Sequence, residues 1–188
     1  MIEWLKEIDE AAFLFLNGFH SPAFDKIMWF ITTIQTWIPL YALIIFFIFR
    51  QFKWQGLWVL LGVAVLITIT DQLTSSIMKP FFERLRPCHD ETIKHLVHNY
   101  MRCGGLYSFV SGHSANSFAI ATFVFLLFKK RYPVFGWLFL WATIVAYTRV
   151  YLGVHFPGDI IVGGAIGAGL GWVIYLALIR FTPITESK

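Results

Sequence analysis

The sequence predicts an all-α protein: a polytopic helical bundle in a membrane, with about five transmembrane helices behind one or two N-terminal interfacial helices. Three observations carry that expectation. The 188 residues are 57% hydrophobic and 19% aromatic, where ordinary soluble domains hold about 45–50% apolar residues. Mean hydropathy is +0.66. Long apolar runs alternate with short polar connections, and a run of about 20 apolar residues is what a hydrocarbon core of about 30 Å requires. The whole chain, 1–188, reads as a single membrane-embedded domain.

Residues 1–33 read as the amphipathic, interfacial region. Ile2, Leu5, Ile8, Ala12 and Phe15 recur at helical spacing with acids on the other face, the pattern of a helix lying in the bilayer surface. Ser21-Pro22 is a helix start, so a second short helix follows. The first crossing is placed at about 34–49, with Pro39 as a possible kink. Arg50 to Trp54 form a basic turn, and the second crossing covers about 57–79. Residues 80–112 are the one long polar segment. The third crossing covers about 114–128 and ends in Lys129-Lys130-Arg131, the fourth about 134–149, the fifth about 159–179. Gly163, Gly167 and Gly171 repeat every fourth position in the fifth, a spacing that lets helices approach closely. Trp54, Trp58, Trp137 and Trp141 near span starts read as interface anchors.

Alternation of the crossings then gathers the unusual polar residues. Lys79 closes the second span, His113 opens the third, Arg149 closes the fourth and Asp159 opens the fifth, so all of them reach one membrane face. The opposite face carries Arg50, Lys53, Lys129, Lys130, Arg131, Arg180 and Lys188, with Glu186 as its only acid. The excess of positive charge assigns that face to the cytoplasm and the polar cluster to the outside, the periplasm of a bacterial inner membrane. The net charge of +4 is scattered over loops and points to no nucleic acid. The acidic N-terminus shows no cleavable signal peptide.

Cys88 and Cys103 bracket the polar loop. They read as a disulfide, which suits an oxidising compartment. Two free thiols, or a zinc site with His89, His95 and His98, are the alternatives. Arg84 and Arg102 read as solvated loop charges. Asp71, about 12 Å deeper than Lys79 along the second span, reads as a structural group, neutral or hydrogen-bonded inside the bundle.

Three segments supply the chemistry. Lys79-Pro-Phe-Phe-Glu-Arg-Leu-Arg86-Pro87 brings two cations, and Pro80 is expected to interrupt the helix between them. Val110-Ser111-Gly112-His113 brings an imidazole at a helix start, where backbone N–H groups are placed to cradle an oxyanion; Ser111 reads alternatively as an N-cap alone. Thr148-Arg149 through His155 to Asp159 brings a cation, a second imidazole and a carboxylate. Three cations suit a multiply charged anion such as phosphate. His155 is placed as a nucleophile oriented by Asp159, and His113 as a general acid.

This pattern resembles the type 2 phosphatidic acid phosphatase superfamily, whose signature is K-x6-R-P, then P-S-G-H, then S-R-x5-H-x3-D. Lys79 to Arg86-Pro87 fits the first part. Ser111-Gly112-His113 fits the second, with Val110 in place of Pro. Arg149, His155 and Asp159 fit the third, with Thr148 in place of Ser. The resemblance implies a lipid phosphatase that needs neither metal nor other cofactor. In it His155 becomes a phosphohistidine, His113 protonates the leaving oxygen, and Lys79, Arg86, Arg149, Ser111 and the Gly112 N–H hold the phosphoryl oxygens. Partners are a lipid phosphate in the bilayer and the surrounding membrane lipids. Undecaprenyl diphosphate is the first expectation for substrate; phosphatidylglycerophosphate, phosphatidate and the 1-phosphate of lipid A are the alternatives. Phosphoryl transfer to another lipid is a related option, and a non-enzymatic transporter or scaffold with an anion site is the competing class.

Overall fold

The computed structural model describes residues 3–184; Ile2, Glu186 and Lys188 lie outside the described residues. Its elements are α1 (Glu3–Asn17), α2 (Pro22–Thr32), α3 (Ile38–Phe52), α4 (Gly56–Asp71), α5 (Lys79–Phe82), α6 (Gly112–Phe128), α7 (Trp137–Tyr151) and α8 (Pro157–Phe181). A 3-10 turn, Ile34–Trp37, leads into α3, and another, Pro133–Gly136, leads into α7. The apolar stretch Ile34–Phe82 reverses at Lys53, where the backbone turns to positive φ, and Gly56 then packs on Ile48 and Phe49. With that reversal, α3, α4 continued into α5, α6, α7 and α8 are the five predicted crossings, each within a few residues of its expected bounds.

Pro80 does not interrupt the second crossing as expected. Residues Gln72–Met78 wind as a π-helix between α4 and α5, with the Lys79 N–H bonded back to Thr74 O. The wider turn takes up the proline's missing donor and ring bulk, and the helix runs on to Phe82 before Glu83 turns left-handed. The same turn shifts the facing of residues around it. Thr70 and Thr74 point inward and are buried, whereas Asp71 is exposed on the bundle surface, contrary to its expected place inside.

The core of the bundle is aromatic and aliphatic, with Ile48, Phe52, Val59, Leu66, Phe123, Phe128 and Leu178 among its buried members. Trp54 and Trp137 are exposed as anchors are, but Trp141 is buried and packs edge-on against Trp37 and Tyr41. It lies a full turn inside α7, on the face turned to α3 rather than to lipid.

α1 lies as an interfacial helix with Leu5, Ile8 and Phe15 exposed. A second stripe is turned away from solvent. Asp9, Phe13 and Asn17 repeat at four-residue spacing and turn to the protein: Phe13 is buried against Phe156 at a ring separation of 5.3 Å, and Asn17 Nδ2 donates to the carbonyls of His98, Val150 and Tyr151. The polar loop is held from both sides. Leu85 pairs with Tyr107, Cys88 is bonded to Cys103 with Cα atoms 6.0 Å apart, and His98 Nε2 stands 2.8 Å from Asp25 Oδ1 on α2. The cysteines are therefore neither free thiols nor zinc ligands.

α6 and α8 make the closest contact in the bundle. A Cβ on Gly163 would stand 2.7 Å from Ser111 O, one on Gly171 2.5 Å from Ala119 O, and one on Gly167 would overlap the Ala115 carbonyl. The expected close approach is thus backbone to backbone. Gly167→Val should cost at least about 1–3 kcal/mol by overpacking, read as a lower thermal midpoint in detergent. Gly169→Ala, with nothing within 4 Å, should be neutral or gain up to about 1 kcal/mol in helix propensity; equal losses at both positions would contradict the packing.

Candidate active site

The close approach of α6 and α8 aligns the two helix starts that carry the site. Ser111 N donates to Asp159 O at 3.1 Å, and Ser114 Oγ donates to Ile160 O at 2.6 Å. The first turn of α6, which bears His113, is thereby pinned to the first turn of α8, which bears Asp159. Between α7 and α8 the chain turns at Gly153, whose φ is +74° and whose missing side chain leaves room for His98 O. Val154 N and His155 N both return to Arg149 O, so the arginine and the histidine sit at one turn.

His155 is 2% exposed and Asp159 0%. Asp159 Oδ2 accepts from Phe156 N at 2.9 Å and faces His155 Nδ1 at 3.3 Å. On the other side of the ring, Arg86 Nη1 stands 3.2 Å from His155 Nε2. A guanidinium has donors only, so Nε2 must present its lone pair and the ring proton lies on Nδ1, toward Asp159. Burial pushes the His155 imidazole below its ordinary pKa, with Asp159 opposing and Arg86 and Arg149 adding to the shift.

Arg86 also donates from Nη1 to Val154 O at 3.0 Å and from Nε to Gly105 O at 2.6 Å. Arg149 donates from Nη1 to Thr32 Oγ1 at 2.7 Å, while its buried Nε has no partner among the described residues. Arg86, Arg149 and His113 line one cavity of about 300 Å³, together with the exposed Arg102 and with Gly104 of the disulfide loop. Lys79 is half-buried at the end of its span, near enough to Arg86 and Arg149 to repel both. Ser111 is fully buried, its Oγ accepts from Ser114 N at 3.4 Å, and its N–H is taken by Asp159 O. It caps α6. Gly112 packs on Thr74 Oγ1, which a Cβ would meet at 3.3 Å. Thr148, in place of the usual Ser, spends its hydroxyl on Val145 O.

Two residues of the site escaped the sequence reading. Arg84 is not solvated. Its Nη1 donates to Asp159 Oδ1 at 3.0 Å, its Nη2 is 2.8 Å from Asp9 Oδ2, and its Cζ stacks 3.9 Å from the centre of the Phe156 ring. Asp9, from α1, also accepts from Gly158 N at 2.7 Å. The Asp9, Phe13, Asn17 spacing was the available signal, a second stripe on a helix whose apolar stripe already had a use. Arg84 takes the ion pair with Asp159, and Lys79, Arg86 and Arg149 form no ion pair with a carboxylate among the described residues, although Asp71 and Asp159 attract Lys79 and Asp159 attracts Arg86 from further away. No group of three or more His, Cys, Asp or Glu placed to hold a metal ion occurs among those residues.

The PAP2 superfamily is matched over residues 56–183. The chain is 40% identical to a lipid A 4'-phosphatase of Bacteroides thetaiotaomicron over 100% of this chain and 84% of that protein, and 35% identical to a lipid A 4'-phosphatase of Porphyromonas gingivalis over 93% and 74%. Among solved structures it is similar to the transmembrane PAP2 type phosphatidylglycerolphosphate phosphatase of Bacillus subtilis, with a TM-score of 0.72, 25% identity and coverage of 97% and 90%. It is also similar to Aquifex aeolicus LpxE, with a TM-score of 0.63, 32% identity and coverage of 88% and 92%. The match to the family extends over most of the chain and over all three motif segments, and the chain belongs to the PAP2 superfamily: it is a multi-pass membrane lipid phosphatase, a hydrolase of phosphoester bonds.

Proposed function

We propose that this phosphatase removes a phosphate from the sugar of lipid A, from the outer face of a bacterial inner membrane, through a phosphohistidine and without a metal ion. The observation that carries the mechanism is the order Asp159, His155, Arg86: a carboxylate on Nδ1, a lone pair on Nε2, and a phosphate-seeking guanidinium beside that lone pair. Lipid phosphate enters the cationic cavity and displaces Arg86 from His155, so that Arg86, Arg149 and Lys79 take the phosphoryl oxygens. His155 Nε2 attacks phosphorus, the P–O bond to the lipid breaks, and His113 gives its proton to the departing oxygen. Water then attacks phosphorus, His113 takes the water proton, the P–N bond breaks, and inorganic phosphate leaves with His155 restored. Asp159 balances the positive charge on the ring throughout. Arg84 and Asp9 are positioning residues that hold Asp159.

The sequence put undecaprenyl diphosphate first. The two relatives at 40% and 35% identity are both lipid A 4'-phosphatases, which moves lipid A to the front and the 4' position ahead of the 1 position. Membership of a phosphatase family sets aside the transporter or scaffold reading. The outward orientation rests on the cations gathered at the opposite end and on the disulfide at the site end.

In EDTA, purified protein should release phosphate from lipid A with kcat/KM at least tenfold above that for undecaprenyl diphosphate, phosphatidylglycerophosphate or phosphatidate; mass analysis of the product locates the lost phosphate. A preference for undecaprenyl diphosphate would overturn the substrate and leave the phosphatase standing. His155→Ala should abolish turnover, and His113→Ala should lower kcat by about 10²–10⁴. Full turnover by the first variant would mean another nucleophile.

The pH dependence has a defined sign. His155 attacks only when neutral, and its lowered pKa keeps it neutral below the ordinary histidine value of about 6.5. The acid limb of kcat/KM should lie below that value once the substrate's own ionisation, near about 6, is taken out. A limb at or above the ordinary value would exclude so buried a nucleophile.

Arg84→Gln leaves Asp159 buried without its cation, a change that costs about 3–5 kcal/mol when a buried pair is broken. The uncompensated carboxylate favours protonated His155. We therefore expect kcat to fall about 10–100-fold, KM to change little, and the acid limb to move to higher pH. A drop in stability with an unmoved pH profile would reduce Arg84 to a purely structural role.

A further inference from the structure

The anion cavity has more room than a phosphate needs. At about 300 Å³ it stands at the small end of ligand pockets, which run from about 300 to 1,000 Å³: space for a phosphate and the group that bears it. Arg86, Arg149 and His113 make one part of its wall. The rest comes from two segments outside the three motifs. Trp29 on the last turn of α2 and Gln35 in the 3-10 turn before α3 supply one, Tyr100 and Arg102 of the disulfide loop the other. Arg86 is buried and Arg149 and His113 half-buried, whereas Gln35 and Arg102 are exposed. The motif residues therefore mark the floor of the cavity, and Gln35 and Arg102 its mouth.

The side chains at the mouth are free to bind. Neither Arg102 nor Gln35 spends its side chain on a hydrogen bond or ion pair among the described residues. Trp29 and Tyr100 meet edge-on with ring centres 6.5 Å apart and pack on the buried cluster of Tyr151, Leu152 and Val154, so both rings are held. The stem of Arg102 is held too. Cys103 beside it is bonded to Cys88, and Met101 before it turns left-handed at φ +74°, a conformation uncommon for residues with a side chain.

Two aromatic rings, a guanidinium and a carboxamide suit one kind of headgroup. The C–H face of a pyranose lies against an aromatic ring, whose own face is negative. The oxygens around such a ring stand in fixed directions; Arg presents a planar fork of donors to them, and Gln both donates and accepts. Glycerol and isoprenoid phosphates have no ring to lay on the indole and no fixed set of oxygens beside the phosphate. We propose that Trp29, Tyr100, Gln35 and Arg102 form a subsite for the sugar ring that bears the scissile phosphate. The ring lies against the aromatic pair, and Arg102 and Gln35 bond its oxygens while the phosphate reaches the motif cations. The subsite rests on the lipid A reading above and gives these four residues the choice of headgroup.

The test compares an N-acylated glucosamine phosphate lipid with a diacylglycerol phosphate of matched chain length, on the full-length protein in mixed micelles. Wild type should favour the sugar lipid by at least about tenfold in kcat/KM, most of it in KM, the gain expected from one or two hydrogen bonds and a stacked ring. Arg102→Gln, Gln35→Leu and Trp29→Leu should each bring the ratio of the two substrates toward one. The ratio is the readout because loss of a cation weakens attraction for either phosphate, an effect that cancels between them. Arg102→Lys keeps the charge but not the fork and should lose most of the preference; an undiminished ratio there would make Arg102 a source of charge alone and overturn its place on the ring. A preference that survives in full in Arg102→Gln or Gln35→Leu overturns the subsite and leaves the lipid A reading standing. Equal turnover of the two lipids by wild type overturns both and leaves the phosphatase. Should Trp29→Leu fail to fold, the two exposed positions still decide.

Discussion

One buried carboxylate ties four separate parts of the chain together. Asp159 is fully buried, and a charge in that position is tolerated only when its oxygens are met. They are met by Arg84 from the polar loop, by Phe156 N–H at the start of α8 and by His155 from the turn after α7. Its backbone carbonyl receives Ser111 N–H at the start of α6. Satisfying this one anion is therefore the same act as assembling the site. The arrangement extends to α1, because Asp9 holds both Arg84 and the Gly158 N–H. An interfacial helix outside the matched family segment, residues 56–183, thus reaches the carboxylate that orients the histidine.

Two scaffolding devices make that assembly rigid. The glycine face of α8 lets α6 come within backbone contact, so the two helix starts keep one relative position. The polar loop is closed on itself by the Leu85 and Tyr107 pairing and by the disulfide, then fastened to α1 and α2 through His98, to the turn after α7 through Asn99. Arg84 and Arg86 leave this loop two residues apart in an extended stretch, so their side chains set out on the same side of the backbone, toward the Asp159 and His155 pair. One reaches the carboxylate behind the ring, the other the nitrogen in front of it. Charge follows from the same geometry. With Asp159 already paired to Arg84, none of Lys79, Arg86 and Arg149 forms a carboxylate ion pair among the described residues, and a lipid phosphate supplies negative charge to them.

The sequence by itself determined the number of crossings, since hydrocarbon thickness sets the length of each apolar run. Alternation then brought Lys79, Arg86, His113, Arg149, His155 and Asp159 to one end of the bundle, because parity of crossings needs no knowledge of packing. It also anticipated the tight α8 face and the loop disulfide. What only the tertiary structure decided were the directions of side chains. Arg84 looked like a loop charge because ion pairing across 75 residues leaves no local mark. Asp9 looked like the wet side of a surface helix because its buried partner comes from elsewhere. Asp71 and Pro80 were misplaced because the π-turn between them alters helical register, and Trp141 because burial depends on which neighbour α7 faces. Hydrophobic length is a one-dimensional property and can be read from the chain; a contact depends on two segments at once, and its energy is decided only where they meet.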